Sequence, residues 1–164
     1  MSEISTEAQK KNRLIAVSLD SGSVGRGNSN VEHEREVAIF DILDGNSFAL
    51  VGEDVGPYKL EISTAEDRYV FKVGSETADA IATHLVSVSP FKRILKDYFL
   101  ICDSYYEAIR TAPPAKIQAI DMGRRGLHDE GSKLLQERLS TKILVDFDTA
   151  RRLFTLISAI AWKG

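Results

Sequence analysis

The stretch 58-YKLEISTAEDRYVFKV-73 contains two alternating runs separated by a polar segment. In the first, Tyr58, Leu60 and Ile62 share one face and Lys59 and Glu61 the other; in the second, Tyr69, Phe71 and Val73 alternate with Val70 and Lys72. A period of two marks a half-buried strand. The link at 63–67 is too short for a parallel crossover, which needs roughly a dozen residues, so the two runs predict an antiparallel hairpin. Residues 81–88 read as a third strand and 48–51 as a short additional one.

Working outward to the N-terminal side, residues 13–19 alternate Leu14, Ala16 and Ser18 against Ile15, Val17 and Leu19, another strand. A Gly- and Ser-rich loop follows at 20–28. Ser29 and Glu32 then have capping-box spacing, apolar residues fall at Val31, Ala38, Ile39, Ile42 and Leu43, and Gly45 supplies a stop, which predicts a helix. Residues 1–12 lack a periodic pattern and read as a frayed or disordered arm, leaving 13–164 as a single domain.

On the C-terminal side, Ser89 and Pro90 suit the cap and first position of the most regular helix in the chain. Its apolar stripe is Phe91, Leu95, Tyr98, Cys102, Tyr105 and Ile109, and Pro113-Pro114 ends it. A second helical stretch runs from about Pro114 to Leu139. Its Gly123, Gly126 and Gly131 each cost a helix about 1 kcal/mol against alanine, which predicts a bend or a close backbone approach and leaves one helix or two open. Residues 142–145 suit a short strand, and Asp146 or Asp148 caps a final, largely buried helix through Ala161. Strands come mainly first and long helices last. The class is therefore α+β, a small antiparallel sheet with helices packed on one face and a helix-rich C-terminal half.

Bulk properties limit the function. A length of 164 residues with 43% hydrophobic and 27% charged residues is that of a globular domain able to fold without a staple. The lone Cys102 has no internal partner and no cationic neighbour just after it, so it reads as an inert, buried thiol. Residues 1–12 are polar and lack the apolar region of a signal peptide. The apolar tract 153–162, interrupted by Thr155 and Ser158, is far short of the roughly 20 residues that cross a membrane. A soluble, cytoplasmic protein is expected, with no membrane association. The net charge of −3 counts against a general binder of nucleic acid or anionic membranes.

Four places hold residues capable of chemistry. The loop 22-GSVGRGNS-29 approaches the spacing of a phosphate-binding loop, but Asn28 stands where that motif has lysine, and Glu32, Glu34 and Glu36 would repel a phosphate; a plain connector is preferred. His33 and Glu36 are spaced to share a metal, but a carboxylate-bridged centre needs further contributions, and no metal is assigned. His84, mid-strand, reads as a hydrogen-bonded core residue. The fourth is 120-IDMGRRGLHDEG-131. On a continuous helix Asp121, Arg124, Arg125 and His128 share one side, where the arginines suit a phosphate or carboxylate and the histidine could titrate near neutral pH. The plainer alternative pairs the arginines with Asp121, Asp129 and Glu130 on a solvated surface. Arg151 and Arg152 could extend the same patch or form ordinary surface pairs.

At these motifs the chain resembles UPF0262, an uncharacterised family of alphaproteobacterial proteins. The resemblance rests on VEHER (31–35), KDYF (96–99), SYY (104–106), IDMGRRGLH (120–128) and DTARRLF (148–154), and so covers nearly the whole domain. It implies a bacterial protein and transfers no catalytic residue, substrate or cofactor. The family is expected more often to have His-Asn where His128-Asp129 stands, which counts against a catalytic role for Asp129.

Three functional readings follow. The first is a non-catalytic binding or regulatory module acting through a protein partner or as a homodimer, since no complete catalytic constellation or metal-ligand spacing is evident. The second is a small enzyme or ligand-binding protein for a phosphorylated or carboxylated metabolite, held by Arg124 and Arg125 with His128 as general acid or base. The third, nucleic-acid binding through 124–138, is the weakest: Asp129, Glu130 and Glu137 offset its basic residues, and it lacks aromatic residues for stacking. No cofactor is assigned.

Overall fold

The hairpin is the centre of the sheet. In the computed structural model, which describes residues 9–162, β3 (Tyr58–Ala65) and β4 (Arg68–Ser75) pair antiparallel from Tyr58↔Ser75 to Ala65↔Arg68. The strands run further into the polar link than its composition suggests, leaving only Glu66 and Asp67 to turn, with Glu66 at φ 56. Tyr58, Leu60, Ile62, Tyr69, Phe71 and Val73 are all buried, and Lys59 and Glu61 are not.

To β4 is added β5 (Ala82–Ser87), antiparallel, and to β3 is added β1 (Leu14–Leu19). The order is β1-β3-β4-β5. The α+β class holds, and the expected antiparallel pairing describes three of the four strands. The fourth, β1, runs parallel to β3 because α1 (Ser21–Val24) and α2 (Ser29–Asp44) intervene between them, which is the crossover a parallel pair requires. Its register slips between Leu14 and Ala16. The bulge returns Val17 and Leu19 to the level of Leu60 and Ile62 while Leu14 stays opposite Tyr58, so strict alternation over 13–19 misassigns the faces. A separate two-stranded sheet pairs β2 (Phe48–Leu50) with β6 (Ile143–Val145).

The helices cover the buried face of the sheet. After a 3-10 turn at Ser89–Phe91 come α3 (Lys92–Thr111), α4 (Pro114–Leu139) and α5 (Phe147–Ala161). Helix α5 is buried on most sides because it lies against both α2 and α4, and α4 in turn lies against α3. Leu135 and Leu139 of α4 and Leu153, Phe154 and Ile157 of α5 share one core with Leu60, Ile62 and Phe71 of the sheet.

The cap of α2 lies one residue before the expected one. Asn28, not Ser29, accepts the Val31 N–H and starts α2, while Glu32 reaches back to the Gly27 N–H at 2.8 Å. Ser89 makes no capping bond. It lies inside the 3-10 turn, since β5 continues its backbone bonding through Val88, which donates to the Asp67 carbonyl. Asp146 is the cap of α5, accepting from Thr149. Of the arm expected over 1–12, residues 1–8 lie outside the described residues, and residues 9–11 are helical.

The three glycines leave α4 a single helix of 26 residues. Two of them mark close approaches: a Cβ on Gly131 would lie 2.3 Å from the Phe154 ring of α5, and one on Gly123 would lie 2.7 Å from Ile101 Cδ1 of α3. Gly126 faces open space. The helix therefore accepts the propensity cost of glycine where neighbouring helices must come near.

The buried stripe of α2 runs Val31, Arg35, Ala38, Ile42, so a charged residue occupies one core position. The Arg35 guanidinium donates to the carbonyls of Ala159 and Ile160 at 3.2 and 3.3 Å and of Gly25 at 2.8 Å. The first two belong to the last turn of α5, where carbonyls lack helical partners and the dipole is negative. Arg35 thereby ties α2 and the glycine loop to the end of the last helix.

Candidate functional site

Between α3, α4 and α5 lies an open cleft of about 490 Å³, lined by Tyr98, Arg124, Arg125, His128, Asp148, Arg151, Arg152 and Thr155. Helix periodicity delivers the α4 residues as the sequence predicts. Asp121 accepts a hydrogen bond from Arg124 Nη2 at 2.6 Å through Oδ1 and forms an ion pair with Arg125 Nε at 3.0 Å through Oδ2. The Arg124 guanidinium is also stacked 4.0 Å from the centre of the Tyr105 ring, and its side chain is only 27% exposed. Arg125, at 72%, reaches into solvent.

Helix α5 supplies the opposite wall. Arg151 Nε stands 3.3 Å from Asp129 Oδ1, an attraction between charges whose alignment leaves that inaccessible oxygen without a hydrogen bond. Arg152 donates to the Gly45 carbonyl. Among the described residues, Asp121, Asp129 and Asp148 thus stand beside Arg124, Arg125, Arg151 and Arg152, one carboxylate fewer than the arginines.

His128 is the joint between the helices. Its ring packs against Phe154 and Tyr98 with centroids 5.2 and 5.6 Å away. Its Nε2 lies 2.8 Å from Thr155 Oγ1. Since the Thr155 hydroxyl donates to the Arg151 carbonyl at 3.1 Å, it accepts from His128, which places the imidazole proton on Nε2. Burial first, then the positive charge of Arg151 and Arg124 working against Asp129, lowers its pKa to about 4. Titration near neutral pH, expected from the sequence alone, is therefore displaced to acid, and the ring is neutral at pH 7.

This shift has a measurable consequence. The unfolded chain takes up the His128 proton near pH 6.5 and the folded chain only near pH 4, so stability is complete above pH 6.5 and falls as the pH drops towards 4. Allowing for the solvent that reaches the ring, the loss amounts to about 2 kcal/mol. Urea unfolding at pH 7 and pH 4.5 of the natural chain and of His128→Gln checks it. The variant is expected to lose less of its stability between the two pH values.

The family model described as "Uncharacterised protein family (UPF0262)" matches residues 11–163. The chain belongs to the UPF0262 family. It is 58% identical to a UPF0262 protein of Rhodopseudomonas palustris over 93% of this chain and 94% of that one. It is 55% identical to another of Nitrobacter winogradskyi, over 99% and 97%, and 56% identical to one of Bradyrhizobium, over 94% and 93%. No solved structure matches it.

The remaining candidates of this UPF0262 chain fall outside the cleft or play structural parts. The glycine loop has its Gly27 N–H taken by the Glu32 carboxylate and its Gly25 carbonyl taken by Arg35, so its backbone is committed within the fold. His33 and Glu36 are exposed on α2, and among the described residues no group of three potential ligands gathers for a metal. His84 is buried and its Nε2 meets the Arg138 carbonyl at 2.8 Å, the hydrogen-bonded core role expected of it. Cys102 is half-buried, and burial raises its pKa, which keeps the thiol protonated at neutral pH. Among the described residues, no helix is long and apolar enough to cross a membrane.

Sequence reasoning located one wall of the cleft and, in Arg151 and Arg152, part of the second. It missed Tyr98, Thr155 and Asp148. Tyr98 reads as one more member of an apolar stripe and Asp148 as a helix-start residue. Thr155, a hydroxyl interrupting the tract 153–162, carried the one legible signal.

Proposed function

We propose that the cleft binds a small organic anion, a phosphorylated or carboxylated metabolite, and that this UPF0262 protein acts as a cytoplasmic binding protein for it. The observation that carries this reading is the convergence of four arginines from two helices on one open cleft, with fewer carboxylates than guanidinium groups around it among the described residues. Arginine supplies paired N–H donors that match phosphate and carboxylate oxygens. Arg124 is pre-oriented by Asp121 and Tyr105, which reduces the ordering cost of binding. Binding is favoured over turnover because Thr155 gives its proton to a backbone carbonyl and His128 donates to Thr155, leaving neither poised as a nucleophile–base pair.

Inorganic phosphate is the first probe. At about 100 times its dissociation constant it is expected to stabilise the chain by about 2.7 kcal/mol, a rise of roughly 5–10 °C in the unfolding midpoint. Arg124→Gln and Arg151→Gln should each weaken binding about tenfold or more by calorimetry, while Arg93→Gln, whose side chain is 94% exposed on α3, should not. Equal affinity across all three variants would remove the reading.

A second reading, association with a protein partner or a second copy, is supported by Val37, Phe40 and Leu43, exposed along α2 with Phe40 at 69%. Sedimentation of the natural chain and of Phe40→Glu over a range of concentrations tests the second-copy form. A monomer in both would dismiss it.

A further inference from the structure

The arginine cleft continues into a second hollow of different chemistry. This hollow, of about 200 Å³, has Phe99, Cys102, Tyr106, Ala159 and Trp162 in its walls. Tyr98 and Thr155 belong to both spaces, so the two adjoin across those side chains. Glu34 and Asp103 also line the hollow, and among the described residues none that lines it is basic. An anion would be repelled from it. An uncharged planar ring suits it, because Tyr106 and Trp162 offer π-faces and the two carboxylates accept from ring N–H or amino groups.

We propose that the ligand is bipartite: a phosphate held by the arginines and, joined to it, a planar amino-bearing ring lying in the hollow against Tyr106 and Trp162, the chemistry of a nucleoside monophosphate. The inference rests on the anion-binding reading and adds the class of group attached to the anion. The opposed character of the two spaces also sets an orientation. The phosphate end is excluded from the hollow by Glu34 and Asp103, and the uncharged ring gains nothing from the guanidinium groups.

Trp162 is the only tryptophan of the chain, so its fluorescence reports on the hollow without a label. The full chain is titrated with inorganic phosphate, adenosine and adenosine monophosphate, with tryptophan excited at the red edge to avoid adenine absorption and affinities taken from calorimetry. Adenosine monophosphate is expected to bind roughly tenfold or more tighter than phosphate, since one stacked base is commonly worth at least that factor. It should also change Trp162 emission, which phosphate should leave nearly unaltered. Tyr106→Ala, at a side chain more than half exposed, should bring adenosine monophosphate back to within about threefold of phosphate while leaving phosphate affinity unchanged. Arg124→Gln should weaken both anions. Equal affinities for phosphate and adenosine monophosphate, with silent Trp162 emission, would overturn the bipartite ligand and leave the anion reading intact. Adenosine binding as tightly as its monophosphate would also overturn it, by removing the link between the two spaces. Binding of none of the three would overturn the anion reading and the inference together.

Discussion

Arg35→Ala is expected to cost the fold about 3 kcal/mol, lowering the unfolding midpoint by roughly 6–12 °C. Arg35 is 6% exposed and donates to three carbonyls from two separate parts of the chain. Its removal leaves the carbonyls of Ala159 and Ile160 at the end of α5 without a donor among the described residues, in a place where water has little access. Each buried acceptor so stranded costs about 1–3 kcal/mol, and a positive charge is lost from the negative end of a helix dipole. Glu32, which lies 3.5 Å from Arg35 Nη1, is partly exposed and keeps its bond to the Gly27 N–H, so the deficit falls mainly on the carbonyls. Arg35→Met fills much of the space without supplying donors and should recover little. Arg35→Lys should recover less than half, because one ammonium cannot reach carbonyls in the three directions that a guanidinium fork spans. Urea unfolding of the three variants checks the order. Near-natural stability in Arg35→Met would show that apolar packing, rather than the carbonyl bonds, is what Arg35 contributes.

Gly131→Ala should destabilise the chain by about 2 kcal/mol although alanine is the better helix former. The added Cβ would sit 2.3 to 2.8 Å from three atoms of the Phe154 ring, and Phe154 is fully buried. A ring held by Tyr98 on one side and by His128 on another cannot rotate away without disturbing both. Helices α4 and α5 must then separate, and with them the two walls of the arginine cleft. The same substitution five residues earlier should act in the opposite sense. Gly126 has nothing within 4 Å of its added Cβ, so Gly126→Ala gains helix propensity, up to about 1 kcal/mol, without a clash. Measuring both by urea unfolding separates propensity from packing. If the two variants shifted stability in the same direction, close approach of Phe154 would not be the reason for Gly131.

The amino-acid sequence by itself determined the hairpin at 58–73, the order of strands before long helices, and the alignment of Asp121, Arg124, Arg125 and His128. Each of these follows from a local period, two for a strand and 3.6 for a helix, that a single stretch of chain must satisfy to bury one face. Family membership was legible for the same reason, being carried by motifs such as 120–128 that read as contiguous residues. Tertiary structure alone decided the parallel pairing of β1, which depends on where α2 packs and on a bulge that shifts the phase of one strand. It also decided that Arg35 belongs in the core, because its partners lie 124 and 125 residues away at the end of another helix. The cleft has the same origin. Arg151, Arg152 and Thr155 meet Arg124, Arg125 and His128 only because Gly131 lets Phe154 bring α5 against α4. That contact also buries His128 beside like charge and moves its titration out of the neutral range. Burial and charge proximity are properties of distances through space, and no spacing along the chain encodes them directly.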